Sequence, residues 1–188
     1  MKNAYEKWAE KEYIFEKKNN EYQAITYGEF LKKVNCIAHE LIKMGLEDKR
    51  IIVFGPNSID YMMTDLAVFS YVGTSVNVNC QTEKEELIKI VKALQIDAII
   101  YDERLKAIFD QMKEEVSEIN YIGMQTFIEN LDRNASMFDL EGRDENTCAK
   151  IIYSSGTTST PKGIMLSIKN IFSGWIPLQK RTPLRKKM

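Results

Sequence analysis

The sequence predicts an α/β fold, a mainly parallel sheet flanked by helices, and three observations carry that prediction. Short β-rich runs alternate with helical patterns from about residue 26 to residue 153. The helical stretches place apolar residues three and four apart, which gives each helix one face to bury. Several strand-like runs are continuously apolar, as strands covered by helices on both faces are. Strands alternating with amphipathic helices imply βαβ units and parallel pairing.

The elements follow in order. Residues 1–21 mix acids and bases without an apolar core and are expected to form a separate helical segment. Thr26, Tyr27, Gly28 and Glu29 read as a capping box, in which the Thr hydroxyl and the Glu carboxylate each satisfy a backbone N–H. Phe30, Leu31, Val34, Ile37, Ala38, Leu41 and Ile42 follow at helical spacing, and Gly45 ends the helix. Residues 50–54 are a buried strand that stops at Gly55-Pro56. Ser58 caps a second helix to about Tyr71, and residues 74–78 form a short strand. Thr82 to Glu85 read as a second capping box, opening a helix with Leu87, Ile88, Val91 and Leu94 on one face. A strand at 97–101, a helix over about 103–115 and a weaker strand at 119–122 come next. Residues 130–148 are polar and turn-rich, an exposed connection leading to a strand at 149–153.

Composition narrows the function classes. The 188 residues carry 26 Lys+Arg against 27 Asp+Glu, so there is no basic excess of the kind nucleic-acid binders show. No apolar run reaches the length of a membrane span, and the N-terminus lacks a signal-peptide core. Cys36, Cys80 and Cys148 are odd in number and widely spaced, which suits reduced thiols in a cytoplasm better than a disulfide framework or a zinc site. A single histidine, His39, leaves no multi-histidine metal centre; it falls beside Lys32 and Asn35, away from the apolar stripe, and reads as a surface residue. Met44, Met62, Met63 and Met112 read as core filling, and Glu83, Glu85 and Glu86 as a solvated first helical turn. Asp102 and Glu103 follow a strand, where a helix cap is a simpler account than a pocket. The basic residues Arg181, Arg185, Lys186 and Lys187 read as a solvated tail.

The most informative segment runs from Ile151 to Leu166, IIYSSGTTSTPKGIML. Ser154, Ser155, Thr157, Thr158 and Ser159 are hydroxyl donors, and Gly156 lets a backbone approach a ligand without a Cβ between them. Lys162, followed by Gly163, adds a mobile cation suited to polyphosphate, and turn N–H groups can form an anion nest. Lys162 is followed by Gly163 and an apolar run rather than by Ser or Thr opening a helix, so this is not a Walker A loop. Composition alone leaves a second reading open, a solvated turn between two hairpin strands.

The order YSSGTTSTPKG resembles the signature loop of the adenylate-forming superfamily, matching all of its fixed positions except one. The stretch from ITYGEF to TSVNVN also follows that superfamily's order of a "T-Y-x-E-L" helix and two strands, so the resemblance covers roughly residues 22–172, a partial AMP-binding large domain, with 173–188 as a tail. Within it, the chain is most similar to bacterial long-chain fatty acyl-CoA synthetases. Two departures stand out: Ser159 replaces the usual Gly, and Ile168 replaces a frequent His.

The resemblance implies a reaction in which a carboxylate, possibly a fatty acid, attacks ATP to give an acyl-adenylate and pyrophosphate, before transfer to coenzyme A. It assigns Ser154, Ser155, Gly156, Thr157, Thr158, Ser159, Lys162 and Gly163 to the phosphates, with Lys162 and Thr157 as the catalytic choices. Mg2+ would bridge phosphate oxygens, with no protein metal ligand assigned. The superfamily's later motifs, for adenine, ribose and the C-terminal catalytic lysine, do not follow Gly163. The chain is therefore expected to be inactive alone and to need the missing part or to self-associate. The alternative is a non-catalytic phosphate-binding or vestigial module.

Overall fold

The computed structural model describes residues 6–18, 20–131, 140–154 and 162–173. Six strands form one sheet in the order β6-β5-β3-β4-β7-β8. They are β3 (Arg50–Phe54), β4 (Thr74–Asn77), β5 (Ala98–Tyr101), β6 (Asn120–Gly123), β7 (Cys148–Ser154) and β8 (Lys162–Ser167). Every neighbouring pair is parallel except β7 with β8. The expected fold class therefore holds, with one antiparallel edge.

Helices cover both faces of the sheet: α1 (Tyr27–Lys43), α2 (Ile59–Ala67) and α5 (Met124–Glu129) on one side, α3 (Lys84–Leu94) and α4 (Lys106–Glu115) on the other. Side-chain alternation along β3 divides the molecule into two cores. Ile51 and Val53 enter the first with Val34, Ile37, Leu41 and Met63. Ile52 and Phe54 enter the second with Leu87, Val91, Phe109 and Met112. Phe109 stacks on Tyr101 at a centroid distance of 4.4 Å and meets Phe54 edge-on at 5.4 Å.

Local signals account for most helix ends. At α1 the Thr26 hydroxyl accepts from Glu29 N–H, and the Glu29 carboxylate accepts from Thr26 N–H at 2.9 Å, completing the box. Gly45 adopts φ +77°, the left-handed conformation that a helix stop demands. Ser58 caps α2 through Tyr61 N–H. The second expected box does not form: the cap is Glu83, without a side-chain bond. Thr82 is instead the last residue of a turn, its N–H bonded to Asn79 C=O, while Asn79 Oδ1 takes Gln81 N–H.

Other differences have equally local reasons. Of the helical segment expected over residues 1–21, the described residues 6–8 are helical, while the chain from residue 12 forms a hairpin of β1 (Glu12–Lys18) and β2 (Glu21–Thr26). Both strands are largely exposed, so no apolar alternation marks them; Tyr13 packs on Tyr27 and Phe30 to hold the hairpin against α1. The helix expected to run to Tyr71 ends at Ala67 and widens into a π turn over Val68–Val72, closed by Gly73 N–H to Val68 C=O at 2.8 Å. The helix expected from 103 begins as a 3₁₀ turn over Glu103–Leu105. Helix α5 went unread, and α6 (Ile168–Ser173) continues from β8, with Ser167 and Asn170 capping one another.

His39 is half-buried and its neighbour Asn35 is buried, so the surface assignment of His39 is corrected: α1 is covered over a wider arc than its apolar stripe. Met63 and Met112 fill the cores, whereas Met44 and Met62 are exposed. Cys36, Cys80 and Cys148 are free thiols. Exposed apolar side chains gather on the antiparallel edge, with Ile152, Ile164, Met165 and Phe172 all open to solvent. Among the described residues no helix is long and apolar enough to cross a membrane.

Candidate functional site

The parallel strands β3, β4, β5, β6 and β7 all end on one side of the sheet, at Phe54, Asn77, Tyr101, Gly123 and Ser154. Open α/β sheets bind ligands outside such carboxyl ends. The hydroxyl-rich segment leaves from the end of β7 and returns as β8, with Ser154 paired to Lys162 and Tyr153 to Gly163. The hairpin geometry of the solvated-turn reading is thus present, and it sits where a ligand loop is placed. Ser155, Gly156, Thr157, Thr158 and Ser159 lie outside the described residues, and Ser154 and Lys162 are placed by their backbone pairing. Gly163 has a packing role: a Cβ there would stand 3.1 Å from Ile151 Cγ2 and 3.4 Å from the Tyr153 ring.

Beneath this end of the sheet lies a polar cluster that the sequence reading did not single out. Asp65 on α2 accepts from Ser75 Oγ at 2.6 Å and Asn77 Nδ2 at 3.0 Å through one oxygen, and pairs with Lys150 Nζ at 2.5 Å through the other. Asn77 Nδ2 also donates to the Tyr61 hydroxyl at 2.8 Å. The Lys150 ammonium lies 5.1 Å from the centre of the Phe69 ring. Burial first, and then the Asp65 charge, push the Tyr61 phenol up to about 12, so it stays protonated. Ser75 and Asn77 stand on the same face of β4 and Lys150 beside Ser75 on β7, so the cluster ties both strands to α2. A signal existed: polar residues at inward positions of otherwise apolar strands.

A second cluster stands at the end of β5. The Asp102 side chain is almost wholly buried and accepts from Arg104 N–H, Nε and Nη2 at 2.8–3.0 Å and from Gln125 Nε2 at 3.3 Å. The cap reading of Asp102 is therefore observed. Glu103 caps α5 through Thr126 N–H and lines an open cleft of about 560 Å³ with Tyr101, Lys106 and Tyr121 along the β6 edge.

Hydrogen bonds from Arg104, partly opposed by burial, hold the Asp102 carboxyl below the usual carboxylate range. A depressed folded-state pKa stabilises above the unfolded value and loses that contribution as pH falls through the folded one. Asp102→Asn is therefore expected to cost about 1 kcal/mol at neutral pH. The variant should also fall less steeply in stability below about pH 4 than the parent. Urea unfolding of both chains at neutral and acid pH measures this; parallel pH profiles would refute the assignment.

Comparison with known proteins agrees with this geometry. The sequence profile of the AMP-binding enzyme family matches residues 1–185. The long-chain-fatty-acid–CoA ligase ACSBG2 of Mus musculus is 25% identical over 177 residues, covering 82% of this chain and 26% of that protein. Malpinin synthetase of Mortierella alpina is 26% identical over 151 residues, covering 79% of this chain and 2% of its own length. Among solved structures, the long-chain-fatty-acid–CoA ligase FadD1 of Archaeoglobus fulgidus superposes with a TM-score of 0.79 at 21% identity, over 97% of this chain and 38% of that one. ATP-bound MatB of Rhodopseudomonas palustris gives 0.75 at 19% identity, over 91% and 35%. This chain thus spans about a quarter of the mouse ligase and about a third of the two solved chains.

Proposed function

The chain belongs to the AMP-binding enzyme family, and from that premise we propose that it forms the amino-terminal region of an ATP-dependent acyl-CoA synthetase. The observation that supports the proposal is the β7–β8 hairpin: β7 ends at Ser154 and β8 begins at Lys162, so the ladder that flanks the Ser/Thr/Gly-rich segment closes at the carboxyl end of the parallel strands. In the proposed reaction a carboxylate oxygen attacks the α-phosphorus of ATP, and the bond to the pyrophosphate oxygen breaks. A thiol sulfur, that of coenzyme A, then attacks the acyl carbonyl and displaces AMP.

The protein's part in the first step is electrostatic. Charge accumulates on the departing pyrophosphate, and prearranged donors that meet it lower the barrier. Ser155, Thr157 and Thr158 supply hydroxyls for this, and Lys162 the cation. Mg2+, if bound together with the nucleotide, would add positive charge that helps to offset the charge of the phosphates. The carboxylate substrate is read as a fatty acid.

The test is equilibrium binding of ATP to the purified chain, together with pyrophosphate exchange. The chain is expected to bind ATP and Lys162→Ala to bind it at least tenfold more weakly, as loss of a charge-assisted contact requires. Exchange is expected to stay at the level of the variant. Equal affinities would remove the phosphate assignment of Lys162, and exchange above the variant would show a chain that adenylates unaided.

A further inference from the structure

The segment assigned to phosphate leaves β7 where the sheet supports that strand unevenly. The parallel ladder of β4 with β7 ends at Asn77–Ile152. Beyond it, among the described residues, Tyr153 and Ser154 pair with β8 alone, through Gly163 and Lys162. The end of β7 and the start of β8 therefore project past β4 as a two-stranded ribbon, a form that is marginal by itself.

The two faces of this ribbon are held differently. On the side of α3 and α4, Ile151 is buried in the second core and Tyr153 packs against that core. On the side of α2, Ile152 and Ile164, paired across the ladder, are 40% and 54% exposed, so apolar packing contributes little there. The anchor on that face is Lys150, two residues before Ile152 and on the same side of the strand, whose ammonium meets the second Asp65 oxygen at 2.5 Å. Ser75 and Asn77 of β4 fix the first oxygen of the same carboxylate. One side chain of α2 thus sets the relation between β4, which stops here, and β7, which runs on from Lys150 to Ser154, about 13 Å at strand rise. Stability alone does not require a charged pair, since apolar residues of similar volume often serve as well. A charge-assisted hydrogen bond has direction, and so fixes geometry in a way that apolar contact does not.

We propose that Asp65, acting through Lys150, is a positioning residue for the β7–β8 ribbon and holds it at the angle that ATP binding requires. The proposal rests on the reading of this ribbon as the frame of the phosphate site.

The test is equilibrium titration of ATP into the full chain and into variants whose circular dichroism shows them folded. Asp65→Asn keeps an acceptor for Ser75 but releases Lys150, and it is expected to weaken ATP about fivefold, as residues that act on a site through others do. The direction discriminates between mechanisms, because a pair acting on the phosphates as nearby charge would bind ATP more tightly once its negative member was removed. Lys150→Met keeps the length of the side chain and leaves Asp65 its two donors on β4. It is expected to stay folded even if Asp65→Asn does not, and to weaken ATP similarly. Leu41→Ala, a truncation of a buried side chain on α1 toward the amino ends of the strands, is the control for general loss of stability and should bind ATP as the parent does. Lys162→Ala should cost less affinity in the Asp65→Asn background than in the parent, since the lysine has already lost its placement there. With ATP bound by the parent, unchanged or tighter binding in a folded Asp65→Asn or Lys150→Met, equal weakening by Leu41→Ala, or an equal cost of Lys162→Ala in both backgrounds would each overturn the proposal. Failure of the parent itself to bind ATP would overturn the nucleotide reading and this proposal with it.

Discussion

Asp65→Ala is expected to lower the unfolding free energy by about 3 kcal/mol or more, the scale seen when one member of a buried ion pair is removed. The loss is larger than that of one contact because the carboxylate serves three partners. Without it Lys150, 18% exposed at its side chain, keeps a charge that water cannot fully solvate. Ser75, wholly buried, keeps a hydroxyl without its acceptor. Removing both charges should be milder than removing one, since apolar replacements of similar volume are often neutral. The double variant Asp65→Leu, Lys150→Met is therefore expected to recover most of the loss. Chemical denaturation of the parent, both single variants and the double variant measures the coupling directly. Additive losses would mean that the cluster is solvated and that the strands do not depend on it.

Gly73→Ala is expected to be at least as damaging. Its backbone is extended, at φ −168°, so the objection to a side chain is space rather than conformation. A Cβ would lie 2.1 Å from Lys49 C=O and 3.0 Å from Lys49 N. Neither atom can yield cheaply, because Lys49 C=O accepts Thr74 N–H at 2.9 Å where β3 and β4 first pair, and Gly73 N–H closes the π turn. Relief requires the two central strands to separate at their start. The expected cost is about 3 kcal/mol or more, at the upper end for overpacking. Gly142→Ala is the control: nothing lies within 4 Å of its Cβ position, and the change should stay within about 0.5 kcal/mol. Denaturation midpoints of the two variants make the comparison. Parental stability in Gly73→Ala would show that the strand start is more yielding than its bonds imply.

The parts of this fold that the sequence displayed are those whose signals are local and repeated. The stripe from Phe30 to Leu41, the Thr26–Glu29 box and the apolar run at 51–54 each state their structure within a few residues, and each is observed. The hairpin over residues 12–26 was hidden because a two-stranded ribbon with both faces largely in solvent has no reason to alternate. The π turn was hidden because Val68, Phe69 and Val72 suit an α-helix equally well; only the closure onto Gly73 separates the two. At the candidate site the order YSSGTTSTPKG pointed to a phosphate loop, and the strand before it had been read correctly. The Asp65 cluster escaped notice because the strand residues that bond Asp65 stand ten to eighty-five residues beyond it, and only the fold brings them to α2.

The antiparallel pairing of Ser154 with Lys162 separates two matters that a sequence motif presents as one. The ladder from Cys148–Ser167 to Ser154–Lys162 fixes the two ends of the intervening segment as neighbouring posts, whatever residues stand between them. Closing a segment between such posts depends only weakly on its length, at about 0.6 kcal/mol for each doubling. Changes of composition or length within residues 155–161 are thus thermodynamically inexpensive for the rest of the protein. The frame holds Lys162 in register with Ser154 through the ladder itself, so the position of its backbone is a property of the sheet and not of the segment before it.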